Sequence, residues 1–189
     1  MLDITSVKIV TDSSADLLSL SDIPFAGVPL KIITSEKEYV DDAALDVDAM
    51  IADLATYQGK SSTACPSPAE WLSAFGDAQY VFCVSITSGL SGCCNAARIA
   101  KEDYENQYPD RRVFVLDSLS TGPEMQLLAD KIQTLILEVT LLMRSVRELP
   151  LIISVPGYCS CWNRCTIWRT TVVSAISLPK QPVFWAFVW

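Results

Sequence analysis

The sequence predicts an α/β fold with a mostly parallel sheet and helices on both faces. Three apolar segments with β character, at residues 7–10, 80–85 and 113–116, are each followed by a turn and then by residues with helical features. Continuous apolar runs of this kind are typical of parallel strands that are buried on both faces. Regular alternation of strand and helix favours a single parallel sheet that is covered by helices.

Periodicity and helix-start signals predict the individual elements. Residues 45–56 carry apolar side chains at near-helical spacing, with acidic residues between them. Residues 67–70, Ser-Pro-Ala-Glu, form a capping box with proline at the first helical position, so a helix begins there. In order along the chain, we predict a strand at 7–10, a helix near 15–20, a strand at 28–33, helices at 45–56 and from 67 through 75, a strand at 80–85, a helix from Ser91 or Gly92 to about Tyr104, a strand at 113–116 and a helix from about Pro123 to about Glu138.

The composition excludes several classes of function. The chain has 189 residues and a formal net charge of −8, which argues against a nucleic-acid partner. It contains no histidine, which excludes histidine acid–base catalysis, Ser-His-Asp triads and imidazole metal ligands. The first residues lack signal-peptide features and no apolar stretch is long enough to span a bilayer, so we expect a cytoplasmic protein that is not transmembrane. The seven cysteines of such a protein are expected to be reduced.

The chain divides into two parts of different composition. Glu148 is the only acidic residue after Glu138, and four of the five tryptophans lie in the same C-terminal segment. This segment has no clear helical or alternating periodicity. We therefore predict an α/β domain at 1–138 and an atypical Trp/Cys-rich tail at 139–189.

Hydroxyl-rich segments follow the three apolar strands and predict a site at one edge of the sheet. Ligands of open α/β sheets bind beyond the carboxyl ends of the strands. Each cluster alone is explained by helix capping, but three clusters at one edge hold more hydroxyl groups than capping needs. Helix N-termini at that edge would favour a carboxylate or a phosphate. The candidate rim residues are Asp12, Ser13, Ser14 and Ser120.

No cofactor or metal is predicted. The segment 89–92, Gly-Leu-Ser-Gly, is neither a Walker A loop nor a dinucleotide fingerprint. The acidic residues between Glu36 and Asp48 do not follow the spacing of a calcium loop, so a solvated face is the favoured interpretation. Cys159, Cys161 and Cys165 in the tail lack a fourth ligand for zinc.

Five ordered motifs in the first part resemble those of the DegV family of bacterial fatty-acid-binding proteins. They are residues 8–17 (KIVTDSSADL), 28–30 (VPL) followed by 39–41 (YVD), 62–68 (STACPSP), 85–92 (SITSGLSG) and 116–122 (LDSLSTG). The resemblance implies a carrier, not an enzyme, in which two α/β domains hold one long-chain fatty acid. It also implies that the carrier presents the carboxyl group to a fatty acid kinase for phospholipid synthesis.

The resemblance assigns carboxyl-binding roles to particular residues. Thr63 matches the threonine that would hydrogen-bond the fatty-acid carboxyl group, and Ser91 matches the second carboxyl-binding loop, with Ser88 and the Gly92 backbone nearby. The sequence departs from the family pattern at two places beside these residues. Ala64 and Cys65 replace a Ser-Gln pair, and Cys93-Cys94 replace Thr-Tyr, which is expected to tune the pocket.

The tail departs most from the family pattern, in which a second domain supplies a histidine and an arginine to the carboxyl site. We expect a truncation or an altered reading frame after about Glu138, because codons allowed for residues 164–174 can spell a second-domain-like segment when shifted. On that interpretation lipid binding would be weak or absent, because half of the enclosure is missing.

Two functions from other classes stay open. One is a small hydrolase or acyltransferase that uses Ser13, Ser88, Ser91 or Ser120 as its nucleophile, with Lys60 as the available base. The other is a partner-binding module whose aromatic tail docks on another chain or transiently on a membrane.

Overall fold

A computed structural model of the chain describes residues 4–152, with side chains described up to residue 141. The strands are β1 (Val7–Asp12), β2 (Phe25–Val28), β3 (Lys31–Ile33), β4 (Glu38–Val40), β5 (Ser62–Ala64), β6 (Tyr80–Ser85) and β7 (Arg112–Asp117). The helices are α1 (Val47–Thr56), α2 (Pro68–Phe75), α3 (Cys93–Gln107) and α4 (Pro123–Ile152). The described residues up to 144 form one compact unit.

The larger sheet is parallel throughout and has the strand order β2-β1-β6-β7. β1 lies in the middle, and β6 pairs with it from Val7 opposite Tyr80 to Thr11 opposite Val84. The inner strands are apolar because both of their faces are covered, which is the property that made them recognisable in the sequence.

Helices cover both faces of this sheet, as the sequence predicted. On one face, the core contains Trp71 and Phe75 of α2 together with Ala97 and Tyr104 of α3. On the other face, residues of α4 pack against the side chains of β1 that point that way, Val7 and Ile9 among them. The alternation of β1 side chains between the two cores follows from the two-residue period of a strand.

A second, antiparallel sheet has the strand order β4-β3-β5 and was not predicted. The sequence suggested one strand at 28–33, but the structure divides this segment between β2 and β3, which belong to different sheets. Pro29 lies at the break and has no N–H to donate to a strand neighbour. The next N–H, that of Leu30, donates to Ser13 Oγ at 3.0 Å instead of to a strand.

The predicted helix near 15–20 is wrong. The structure contains only a 3₁₀ turn, Ser13–Ala15, which ends at Asp16 in the left-handed region with φ 52° and ψ 31°. A residue with positive φ cannot continue a right-handed helix. Leu18, within the predicted helix, is 79% exposed.

The last helix is longer than predicted and continues through position 138 to Ile152. Residues 139–149 contain neither glycine nor proline, so no local signal stops the helix there. The change in composition after Glu138 was therefore not a helix boundary. Among residues 4–152, no helix combines the length and apolar character needed to cross a membrane.

Candidate functional site

The loops after β1, β6 and β7 meet at one edge of the parallel sheet, as the sequence predicted. Their backbones are joined directly, because the N–H of Ser118 donates to the carbonyl of Ser85 and the N–H of Thr87 donates to the carbonyl of Ser120, both at 3.0 Å. The N–H of Gly122 donates to the carbonyl of Ser14 at 2.9 Å. The three hydroxyl-rich segments thus form one connected rim.

Asp12 is the buried centre of this rim. It is the last residue of β1 and is 0% exposed. Its Oδ2 accepts a hydrogen bond from the N–H of Ile86 at 2.8 Å, and its Oδ1 accepts from the N–H of Ser14 at 3.2 Å and from the Ser14 hydroxyl. Burial raises the pKa of the Asp12 carboxyl, while these hydrogen bonds act in the opposite direction. Asp12 therefore joins the first loop to the second and does not face solvent.

The other three candidate rim residues differ in their surroundings. Ser13 accepts the N–H of Leu30 on its hydroxyl oxygen and lines an open depression of about 400 Å³. The Ser14 hydroxyl is directed at Asp12 and also lies 3.3 Å from the sulfur of Met125. Ser120 contributes its backbone, since its carbonyl accepts from Thr87 and its N–H donates to the Ser118 hydroxyl at 3.1 Å.

Ser88 lies at the exposed tip of the loop after β6 and is engaged with Asp117. Its N–H donates to Asp117 Oδ1 at 3.1 Å, and the same oxygen accepts the N–H of Leu119 at 3.1 Å. The side-chain hydrogen bond from Ser88 is the largest cause that lowers the pKa of Asp117. Reasoning from the sequence missed Asp117, although an aspartate at the end of a buried strand was a usable signal.

Ser91 and Gly92 lead directly into α3. The Ser91 hydroxyl accepts the N–H of Cys93 at 3.3 Å and donates to the Cys93 sulfur at 3.1 Å. Gly92 is the N-cap residue of α3 and supplies no side-chain cap. The first turn of this 15-residue helix therefore presents N–H groups, and the positive end of the helix dipole, at the rim.

Thr63 lies in the smaller sheet, on β5 opposite Ile32, and its side chain is exposed. The chain then runs through Cys65 toward α2, and here it approaches the start of α3. The Cys65 sulfur lies 3.3 Å from the position that a Cβ atom would have on Gly92. A side chain at position 92 would press on this sulfur, so glycine permits the close approach. The structure thus brings the segment after Thr63 next to the Ser91–Gly92 loop.

Two open depressions on the described part of the chain include neither Thr63 nor Ser91. The larger, about 460 Å³, is polar and is lined by residues between Thr34 and Gly59 that include Lys37 and Asp53. The smaller, about 400 Å³, is the one beside Ser13 and contains Leu17 and Leu18. An apolar tunnel for an acyl chain is therefore not found at either depression.

The predictions of no metal site and of reduced cysteines concern both the described residues 4–152 and the part of the tail at 153–189. Within residues 4–152, no group of three or more potential metal-ligating side chains comes together. Cys65 is an exposed free thiol, while Cys83, Cys93 and Cys94 are buried free thiols. The three tail cysteines and the other predictions for 153–189 lie outside the described residues.

The fold and its rim define a parallel α/β domain with hydroxyl and N–H donors at the carboxyl edge of the sheet. The DegV family model matches residues 6–139. The chain belongs to the DegV family. A DegV domain-containing protein of Streptococcus pneumoniae is 41% identical over 133 residues, which are 68% of this chain and 47% of the relative. The chain spans about half the length of the curated relatives it matches.

Solved structures of the family carry fatty acids. A DegV family protein from Eubacterium eligens, loaded with heptadecanoic acid, is 41% identical with a TM-score of 0.69 over 70% of this chain and 48% of that chain. The Streptococcus pneumoniae Fatty Acid Kinase (Fak) B3 protein, loaded with linoleic acid, is also 41% identical, with a TM-score of 0.67 over 69% of this chain and 48% of that chain. A Ruminococcus gnavus member refined with vaccenic acid is 28% identical, with a TM-score of 0.63 over 70% and 48% of the two chains.

Proposed function

We propose that this chain binds the carboxyl group of a long-chain fatty acid and acts as a carrier for a fatty acid kinase. The observation that supports the proposal is the approach of Cys65, two residues after Thr63, to Gly92, the residue after Ser91. Two relatives that are 41% identical are described as loaded with heptadecanoic and linoleic acid, and one of these is named a Fatty Acid Kinase B3 protein.

In this role Thr63 and Ser91 donate their hydroxyl hydrogens to the two carboxylate oxygens. The Thr63 side chain is exposed and can turn toward the ligand. Ser91 has to give up its contact with the Cys93 sulfur, which costs little because a thiol sulfur is a weak acceptor. A hydrogen bond to the carboxylate would be stronger because its acceptor is charged.

The start of α3 supplies the remaining attraction. The Ser91 hydroxyl accepts the N–H of Cys93, but Gly92 supplies no side-chain cap, so the following N–H groups of the first turn and the helix dipole favour a negative charge at that point. Ser88 can join only if it exchanges its contact with Asp117 for the ligand. The buried Asp12 and its partner Ser14 hold the loops in place without touching the ligand.

The proposal makes the chain a carrier with no catalytic residue and no cofactor, the bound fatty acid being its cargo. It places the chain in the cytoplasm, with transient membrane contact where fatty acid is exchanged and no nucleic-acid partner. Because the chain spans about half of its relatives' length, we propose that residues 1–138 supply the hydroxyl contacts to the carboxyl group. The tail at 139–189 would then occupy the position in the chain at which the matched relatives continue with the rest of their sequence.

The test is competition between linoleic acid and its methyl ester for the full chain, with a fluorescent fatty acid as the reporter. The free acid should compete at least about tenfold better, because each hydrogen bond to a charged group contributes roughly 1.5–3 kcal/mol. Thr63→Val and Ser91→Ala should each remove most of this preference. Ser62→Ala is the matched control, since Ser62 is the exposed neighbour of Thr63 on β5. Equal competition by acid and ester would refute the proposal.

A further inference from the structure

Two cysteines from different elements meet at the proposed carboxyl-binding edge. Cys65 follows β5 and is exposed, while Cys93 is the first residue of α3 and is buried. The Cys65 sulfur lies against Gly92, 3.3 Å from the position of a Cβ atom there, and Gly92 is bonded directly to Cys93. The Cys93 sulfur is held in the same turn by the Ser91 hydroxyl at 3.1 Å.

Electrostatics supports the closeness of the two thiols. Burial is the largest cause that raises the pKa of Cys93 to about 11; the Ser91 hydrogen bond lowers it, and the charges of Asp12 and then Cys65 raise it further. Disulfides require Cα atoms within about 4.4–6.8 Å, and the exposed Cys65 already packs its sulfur against Gly92, the residue before Cys93.

We propose that Cys65 and Cys93 form a reversible disulfide that closes the carboxyl-binding edge. The bond would draw residue 65 onto the first turn of α3, into the gap between Thr63 and Ser91. The fatty acid could then no longer reach both hydroxyl groups. This effect on the ligand rests on the proposed function, whereas formation of the disulfide does not.

The oxidant is a small disulfide such as oxidised glutathione, and the exchange balances in two steps. The thiolate of the exposed Cys65 attacks one glutathione sulfur, which breaks the glutathione S–S bond and releases one glutathione that takes up the proton lost by Cys65. The Cys93 thiol then loses its proton and its sulfur attacks the Cys65 sulfur, which breaks the mixed S–S bond and releases the second glutathione, and this glutathione takes up the proton lost by Cys93. Two protein thiols are oxidised, and one small disulfide is reduced to two thiols.

Accessibility fixes the order of the two steps. Cys65 is open to a reagent in solution, whereas Cys93 is enclosed and can react only with a sulfur already placed beside it. Cys93 is therefore the resolving thiol. Cys94, the next residue along α3, is equally buried but is not bonded to the glycine that Cys65 contacts, so it provides a matched control.

The experiment treats the full chain with oxidised glutathione and maps the products by mass spectrometry of peptides. We expect loss of the thiols of Cys65 and Cys93 and a peptide pair that joins Cys65 to Cys93, both reversed by dithiothreitol. Cys94→Ala should give the same pair. Cys93→Ala should stop at a glutathione adduct on Cys65, and Cys65→Ser should give neither product at these positions.

Linoleic acid binding is measured on the same samples. The oxidised wild-type chain should bind at least about tenfold more weakly than the reduced chain, because it loses a hydrogen bond to a charged group, while Cys65→Ser should be unaffected by oxidation. A Cys65 that pairs with a tail cysteine, or that keeps glutathione in the wild-type chain, would overturn the proposal. The Cys65–Cys93 pair could form while neither the oxidised nor the reduced sample binds linoleic acid. That result would refute the proposed function and the effect of the disulfide on binding, but not the formation of the disulfide.

Discussion

Asp12→Ala tests whether the buried carboxylate holds the rim together. The substitution leaves the N–H of Ile86, which donates to Asp12 at 2.8 Å inside the protein, without a partner, and it also removes the acceptor of Ser14. A buried donor left unpaired costs about 1–3 kcal/mol, and hydrogen bonds to a charged group contribute roughly 1.5–3 kcal/mol. Burial of the carboxylate raises the pKa of Asp12, because it disfavours the charged form. Removal of the buried carboxylate therefore offsets part of this loss.

We therefore expect Asp12→Ala to lower the free energy of unfolding by about 2 kcal/mol, and Tm by roughly 4–8 °C for a chain of this size. The assay is urea denaturation followed by tryptophan fluorescence and circular dichroism, with an unchanged m-value showing that the folded state is still compact. Asp103→Ala, at an exposed position of α3, is the matched control and should change stability by less than about 0.5 kcal/mol. Equal effects of the two substitutions would refute the structural role of Asp12.

Asp12→Asn separates the charge from the hydrogen bonds. Because burial raises the pKa of Asp12 in the folded chain, its contribution to stability is fully present below the ordinary pKa near 3.8 and is lost as pH rises through the folded value. The asparagine variant lacks this titration, so its free energy of unfolding should depend less on pH across the acid range. A pH profile identical to that of the wild-type chain would contradict the raised pKa.

Three further substitutions test other parts of the fold. Ser67→Ala removes the capping box with Glu70 and should lower the free energy of unfolding by roughly 1 kcal/mol in urea denaturation; an unchanged midpoint would show that the cap is dispensable. Tyr104→Phe removes a buried hydroxyl that donates to backbone carbonyls and accepts from Arg111, and should cost about 1–2 kcal/mol in the same assay. Because burial raises the pKa of Cys93 from 9.0 to about 11, stability that is present below pH 9 is lost as pH rises toward 11. Cys93→Ala should flatten alkaline unfolding over that window, and an unchanged slope would contradict the burial of the thiol.

The sequence was informative where a local signal and burial agree. The capping box at Ser67 begins α2 as predicted, with both of its hydrogen bonds formed. The strand at 80–85 was predicted with the bounds that β6 has, because four of its six residues are buried and the other two are partly buried. A buried parallel strand appears in the sequence as an apolar run, and a capped helix start appears as polar residues at a fixed spacing.

The sequence was less informative where the conformation of a single residue determines the path of the backbone. Pro29 separates β2 from β3, yet its neighbours have the same apolar character, so the segment resembled a single strand. The left-handed conformation of Asp16 ends a turn that otherwise resembled a helix start. Such choices depend on contacts with distant residues, as when Leu30 donates to Ser13.

The candidate site shows the same division. The common edge of the three hydroxyl-rich segments followed from the parallel order of the strands. The contact between Cys65 and Gly92 did not, because it joins two sheets whose relative placement no local pattern encodes. The engagement of Ser88 by Asp117 was also invisible in the sequence, since it depends on the register of β6 and β7.

The most direct test of the account is native mass spectrometry of the full purified chain after incubation with linoleic acid. The account predicts a complex with one fatty acid that disappears when Thr63→Ala and Ser91→Ala are combined, while Ser62→Ala retains it. Circular dichroism should show that all of these variants are folded. A double variant that keeps the fatty acid, or a folded wild-type chain that never binds one, would contradict the claim that these two hydroxyl groups recognise the carboxyl group.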